Sequence, residues 1–147
     1  LFWEYRNDTG RIERFLLRKD FPIFVIELNI NTMHELSIAI HIADIIENEA
    51  IQAQAEKVTK VELEIGSMSG VEPAALELAV PEAFRGTMME KAELVYHYIP
   101  ASAVCQSCCH EFDPTWHFSI CPHCNSSDTY FLRGKELNIK SFDIIKS

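Results

Sequence analysis

The residues with the plainest chemistry are five cysteines, all between positions 105 and 124 of a 147-residue chain. Four of them form two pairs, Cys105-Gln106-Ser107-Cys108 and Cys121-Pro122-His123-Cys124, with twelve residues between the pairs. A two-residue gap lets one tight turn carry two thiolates to a single ion, and two such turns complete a tetrahedron. Zinc is the metal this donor set points to; a rubredoxin-like iron site and a redox Cys-x-x-Cys pair are the alternatives. Four thiolates leave no open coordination position, so the zinc is expected to be structural. In so short a segment its ligation would supply much of the folding free energy. Cys109 is left over and reads as a bystander. His110, His117 and His123 read as solvated loop residues around the pairs, the second reading being that protonation of one of them tunes the metal site near neutral pH.

Closely spaced cysteines of odd number, without a convincing secretory signal, indicate metal binding in a reducing compartment, the cytoplasm, rather than disulfides. A formal charge of -9 argues against general affinity for nucleic acid, which requires clustered Lys and Arg. The nearest basic residues after the cysteines are Arg133 and Lys135. The acidic residues are spread along the chain and read as a solvated surface. No apolar run approaches the ~20 residues of a membrane-spanning helix. Hydrophobic residues make up 48% of the chain, which suits a globular protein and not a membrane one. With no Gly-rich phosphate loop and no Ser-His-Asp or paired-carboxylate motif, nothing points to an enzyme.

The cysteine segment needs a scaffold, and the flanking sequence provides one. From Met33 to about Glu56 the apolar spacing is helical: Leu36, Ile40, Ala43, Glu47 and Ala50 follow one stripe, widened by Ile38, Ile42, Ile45 and Ile46. Lys57 to Ile65 alternates as a half-buried strand and ends at the breaker cluster Gly66 to Gly70. A second helix begins near Glu72-Pro73 and runs through Leu76, Leu78 and Ala79. Pro81 is expected to kink or restart it, and Gly86 to close it. Ala92 to Ile99 and Lys135 to Ile145 alternate as strands, the latter with a register break near Ser141. The expected fold is α+β: two helices on a small, about three-stranded sheet, with a zinc-ribbon-like module inserted at one end. The two strands that flank the module are expected to pair with each other. In domain terms, 33–100 plus 133–147 form one unit and 101–132 the zinc-binding unit.

The first 32 residues differ from the rest. They carry five basic and five acidic residues, so the whole -9 belongs to Met33 onward. They read as a start-site or expression artefact, or as a poorly ordered extension. The competing reading is an extra strand at Ile23–Ile30 docked on a sheet edge.

At the head of the first helix stands Met33-His34-Glu35. Thr32-x-x-Glu35 fits a capping box, which makes His34 an exposed first-turn residue. Were Met33 the first residue, its amine, the His34 amide nitrogen and the His34 imidazole could instead chelate nickel(II) or copper(II). Residues 33–147 resemble the hydrogenase and urease maturation nickel metallochaperones of the HypA/HybF type. The matching pieces are Met33-His34-Glu35-Leu36-Ser37-Ile38, Gly66-Ser67-Met68-Ser69-Gly70-Val71, Pro81-Glu82-Ala83-Phe84, both cysteine pairs, and Gly134 to Ser141. The resemblance implies a nickel site with His34 as principal ligand, assisted by Glu35 and by Glu72, beside a structural zinc. It also implies a partner GTPase of the HypB type and delivery of nickel to the large subunit of nickel-iron hydrogenase, in some members also to urease. The alternative is a zinc-ribbon adaptor that binds protein or nucleic acid without nickel.

Two departures from the family pattern carry consequences. With 32 residues ahead of Met33 there is no free amine beside His34, and nickel binding is expected to be weaker or altered. The glycine that often follows each cysteine pair in the family is replaced by Cys109 and Asn125. Asn adopts the left-handed conformation such a turn can require more readily than Cys does.

Overall fold

The computed structural model describes residues 2–4, 12–16, 35–115 and 119–146. In chain order its elements are β1 (Phe2–Glu4), β2 (Ile12–Leu16), α1 (Glu35–Gln52), β3 (Lys57–Gly66), α2 (Pro73–Phe84) and β4 (Glu93–Ile99). They continue with β5 (Ser102–Cys105), β6 (Glu111–Phe112), β7 (Thr129–Arg133) and β8 (Leu137–Ile145). Thr32 and the strand expected at Ile23–Ile30 lie outside the described residues.

In α1 the buried residues are Ile38, Ala39, Ile42, Ala43, Ile46 and Ala50. Their three- and four-residue spacing defines the core-facing stripe. Leu36 and Ile40, expected on that stripe, are 45% and 48% exposed. They share a helix side with Glu47 and so lie off the face centred on Ile42 and Ile46. The helix ends in a Schellman motif: the Ala55 N–H donates to Ala50 O and the Gln54 N–H to Ile51 O, both 2.9 Å. Gln54 holds the left-handed position at φ 58.

The second helix starts with Pro73, where a missing N–H costs nothing. It does not restart at Pro81; it runs unbroken to Phe84 with Pro81 inside. Leu76, Val80 and Phe84, four residues apart, carry the buried stripe, while Pro81 and Leu78 face solvent. The carbonyl that Pro81 cannot bond belongs to Glu77, which is also exposed and open to water.

The main sheet has the order β1-β2-β8-β3-β4. The strands flanking the cysteine segment, β4 and β8, do not pair with each other as the sequence suggested. Both flank β3, β4 in parallel and β8 antiparallel. Val58, Val61, Leu63 and Ile65 of β3 are all buried, because its central place puts it under the helices while its neighbours saturate both its edges. Two register shifts between β3 and β8 explain one break in the alternation of each strand. Val58 and Val61 are both buried across a shift at Thr59, and Ile139 and Phe142 across one at Lys140, next to the expected break at Ser141. The three strands β8, β3 and β4 form the small sheet expected under the helices, and β1 and β2 extend it on the β8 side.

On the face away from the helices, Glu62 is buried among basic side chains. Its carboxylate lies 2.8 Å from His97 Nε2, 3.0 Å from Lys60 Nζ and 3.6 Å from an Arg14 nitrogen. Burial pushes its pKa up, but the bonds from Lys60 and His97 and the charges of Lys60 and Arg14 outweigh it and hold it at about 2.

A second, three-stranded sheet has the order β6-β5-β7 and carries the cysteines. The chain enters it through Ala101 and leaves through Gly134, and both crossings are pinned by the loop after β3. Met68 N–H donates to Gly134 O (2.6 Å), Gly66 N–H to Glu136 O (2.7 Å) and Ser67 N–H to Ile99 O (2.9 Å). The Ser67 hydroxyl accepts from Ala101 N–H at 2.9 Å. Gly134 has φ 103, and a Cβ there would overlap Ala101; a Cβ on Gly66 would overlap the Gly134 carbonyl.

Two outcomes are expected. Gly134→Ala adds positive-φ strain to a clash with backbone and should cost more than about 2 kcal/mol in chemical denaturation at fixed metal content. Because the folded pKa of Glu62 is depressed from 4.5 to about 2, its contribution is present above pH 4.5 and is lost as pH falls toward 2. Thermal melts across that window should show Glu62→Gln less stable than the parent at neutral pH, with the gap closing in acid.

Candidate metal centre

Each cysteine pair folds into the same turn. Cys105 N–H donates to His110 O at 3.0 Å and Cys109 N–H back to Cys105 O at 2.9 Å. In the second turn Cys121 N–H donates to Ser126 O and Asn125 N–H to Cys121 O, both at 2.9 Å. The residue after each pair is left-handed, Cys109 at φ 61 and Asn125 at φ 57. The glycine-to-Cys replacement therefore leaves the turn geometry in place, with a strained non-glycine residue in it. The Ser107 and Ser126 hydroxyls, 2.9 Å apart, tie the two turns together.

The turns aim four sulfurs at one point. Their Sγ atoms all lie within 4.8 Å of one another. Cys105 and Cys124 are 3.5 Å apart and Cys108 and Cys121 are 3.6 Å apart. Sulfurs around a tetrahedral zinc at ~2.3 Å are separated by about 3.8 Å, whereas a disulfide requires about 2 Å. All five cysteines are free thiols, so the spacing fits a shared ion and not bridges. Among the described residues, this cluster is the group of three or more His, Cys, Asp or Glu side chains whose ligand atoms converge in this way.

The thiols also influence one another's ionisation. At Cys105 burial opposes ionisation, yet hydrogen bonds from the Cys108 N–H and the Cys124 thiol, among others, bring its pKa to about 6. At Cys108 a bond from the His110 N–H favours the thiolate. Burial and its bonds to the Cys121, Cys124 and Cys105 sulfurs outweigh that and raise it to about 12. One thiolate forms easily and the next is resisted, so four together require the charge of a cation.

Cys109 is exposed and outside the cluster. His110 and His123 are exposed loop residues whose rings stack at 5.4 Å, while His117 lies outside the described residues. Lys135 sits 4.1 Å over the Phe131 ring and Arg133 pairs with Glu111, so both basic residues after the cysteines have local partners.

Of the second set of expected ligands, His34 lies outside the described residues. Glu35 and Glu72 are brought together although 37 positions separate them. Glu35 is the first residue of α1, Glu72 caps α2, and the Glu72 N–H donates to Glu35 Oε1 at 3.4 Å. The Glu35 carboxylate thus lies at the start of both helices, a placement such termini favour. Glu72 follows directly on the loop that pins the crossings into the second sheet. Ser67 and Gly134 stand in the sequence only as parts of family-matching pieces and Ala101 not at all, because their importance lies in a backbone approach that only the folded chain creates.

Two helices on a mixed sheet, joined to a four-cysteine module on a sheet of its own, define a metal-handling α+β protein. The family model for hydrogenase/urease nickel incorporation metallochaperones, HypA, matches residues 33–144, and the chain belongs to that family. A hydrogenase maturation factor HypA of Parabacteroides distasonis is 45% identical over 114 residues, 78% of this chain and 99% of that protein. The corresponding protein of Prosthecochloris aestuarii is 40% identical over 112 residues, 76% of this chain and 99% of its own. A HybF of Klebsiella pneumoniae is 38% identical over 111 residues, 76% of this chain and 98% of its own. The solution structure of the Ni metallochaperone HypA from Helicobacter pylori has the same fold, with a TM-score of 0.58 at 23% identity. It covers 78% of this chain and 100% of that one. Among the described residues no helix is long and apolar enough to cross a membrane.

Replacing Cys109 by Gly relieves a left-handed conformation that costs a residue with a Cβ about 1 kcal/mol. The variant should bind metal with unchanged stoichiometry and raise the module's denaturation midpoint in the metal-loaded chain. A lower midpoint would show that the Cys109 side chain has a stabilising partner.

Proposed function

We propose that this hydrogenase maturation factor carries nickel at the start of α1 and holds a structural zinc at Cys105, Cys108, Cys121 and Cys124. His34 provides the principal nickel ligand, and the carboxylates of Glu35 and Glu72 assist. The observation that supports this reading is the Glu35 carboxylate, one residue beyond His34, accepting from the Glu72 N–H at the start of α2, inside the family-matched stretch. Residues 33–100 with 133–147 form the nickel unit and 101–132 the zinc unit.

The two metals are held differently. Zinc would be enclosed by four thiolates with no open position, and would supply the charge that keeps them ionised together. Nickel is cargo: Glu72 is exposed and Glu35 half-buried, so an incoming ligand can reach the site and take the ion by exchange. The loop from Gly66 to Gly70 is the physical connection between the two, since it pins the zinc unit at one end and runs into Glu72 at the other. The recipient is the large subunit of nickel-iron hydrogenase, with urease as a further recipient in the family pattern, and the working partner is a GTPase of the HypB type. Binding and release, without catalytic turnover, in the cytoplasm, complete the reading.

The test is metal content with a nickel titration on the full chain and on a chain beginning at Met33. One zinc in each and tight nickel binding confined to the shorter chain are expected, because only there does a free amine adjoin His34. His34→Ala in the shorter chain should abolish specific nickel binding and leave zinc unchanged. Cys121→Ala should release the zinc and unfold the module; retained tetrahedral zinc would defeat the four-cysteine assignment. One zinc and no nickel in either chain would leave a zinc-ribbon adaptor.

A further inference from the structure

The sheet receives two strands from outside the family match. β2 pairs antiparallel with the outer edge of β8, from Ile12↔Ile145 to Leu16↔Ser141, and β1 pairs with β2. The family match begins at residue 33, and the relatives align over 98–99% of their own length. Residues 12–16 therefore cover an edge that the family-matched part of the chain, taken alone, leaves as a row of unpaired N–H and C=O groups.

The edge also has a side-chain preference. Asp143, on β8, is 13% exposed and Glu62, on the neighbouring β3, is 10% exposed, and both present carboxylates toward β2. Arg14 stands opposite Asp143 in register. It grips that carboxylate with two nitrogens, Nε to Oδ1 at 2.8 Å and a terminal nitrogen to Oδ2 at 3.3 Å, and reaches Glu62 at 3.6 Å. Lys60, opposite Asp143 in register on β3, bonds Glu62 instead, as does His97, and the cation that bonds Asp143 is Arg14 of the added strand. A two-stranded hairpin is marginal by itself, so β1 and β2 owe their order to this edge and can leave it locally.

We propose that the outer edge of β8, Ser141–Ile145, is a strand-acceptor site for an extended polypeptide carrying an arginine opposite Asp143. The chain's own Ile12–Leu16 is its resident occupant, exchangeable for another such strand. Arginine is preferred because its planar fork matches both Asp143 oxygens, which a lysine ammonium cannot do. A second copy pairing β8 on β8 about this point would set Asp143 against Asp143, and like charges directly opposite destabilise a ladder. The fitting partner is thus an extended segment of another protein that carries such an arginine and displaces this chain's own Ile12–Leu16.

The test uses three full-length chains: the parent, Arg14→Glu, and Arg14→Glu combined with Asp143→Arg. Helix content and zinc content report whether each remains folded. In hydrogen exchange, the amides of Ser141–Ile145 that face β2 should exchange about tenfold faster or more in Arg14→Glu and regain protection in the charge-reversed pair. A labelled peptide of residues 10–19 should then bind Arg14→Glu one to one and restore protection to the edge. It should bind the parent at least about tenfold more weakly, where the edge is already filled. The same peptide with Glu in place of Arg14 should not bind. Parent-like protection in Arg14→Glu, or equal binding of the two peptides, would overturn the proposal. None of these readouts depends on nickel, so they stand apart from the metal assignment above.

Discussion

Two glycines decide how the two halves of this fold can sit together. Gly66, at the end of β3, and Gly134, where the chain returns from the cysteine sheet, bring their backbones closer than any Cβ would permit. That approach lets Met68 N–H reach Gly134 O and lets the Ser67 hydroxyl accept from Ala101 N–H, so entry and exit of the inserted segment are held by one loop. A connection of two separate strands alone would act as a hinge. Pinned by backbone bonds on both crossings, it acts as a joint of fixed angle. The same loop then delivers Glu72 to the start of α2, opposite Glu35.

The cysteine module is organised by a different force. Its sheet is small, with β6 only two residues long, and little apolar surface is available to stabilise it. What replaces a core is a pair of near-identical turns that aim four sulfurs at one point. The sulfurs compete for protons, and a positive ion between them would favour the charged form of all four. The main sheet is the reverse case: its apolar face is secured by burial beneath α1 and α2, and its charged face by the cations gathered around Glu62.

How much of this could be read from the sequence follows the range of the interaction involved. The cysteine turns are local, and Cys-x-x-Cys spacing states their geometry almost completely; the left-handed positions at Cys109 and Asn125 are implied by the resemblance, through the glycine that often follows each pair in the family. The helices and main strands are legible because their periodicity is local too. What sequence reading missed is non-local. Nothing in the spacing says that β4 lies parallel to β3 rather than beside β8, and that register alone brings His97 to Glu62. Leu36 and Ile40 were set in the buried stripe because periodicity fixes the shape of a face and not which side of it the sheet will take. Pro81 reads as a break in the sequence, yet its missing N–H falls on the exposed side of α2, where water can take the place of the lost bond. The strands β1 and β2 escaped notice because their partner is more than a hundred residues away.

The place of β8 has a consequence for the order in which the molecule can be made. It is the last element of the chain, yet it lies inside the main sheet, between β2 and β3. As the polypeptide leaves the ribosome, β3, α2 and β4 are available to one another early, while the strand that joins them to β2 arrives after the cysteine segment. The thiols are therefore already exposed to metal ions while one side of β3 is still open. Folding of the nascent chain passes through a stage at which the module can be loaded before the sheet beside it closes.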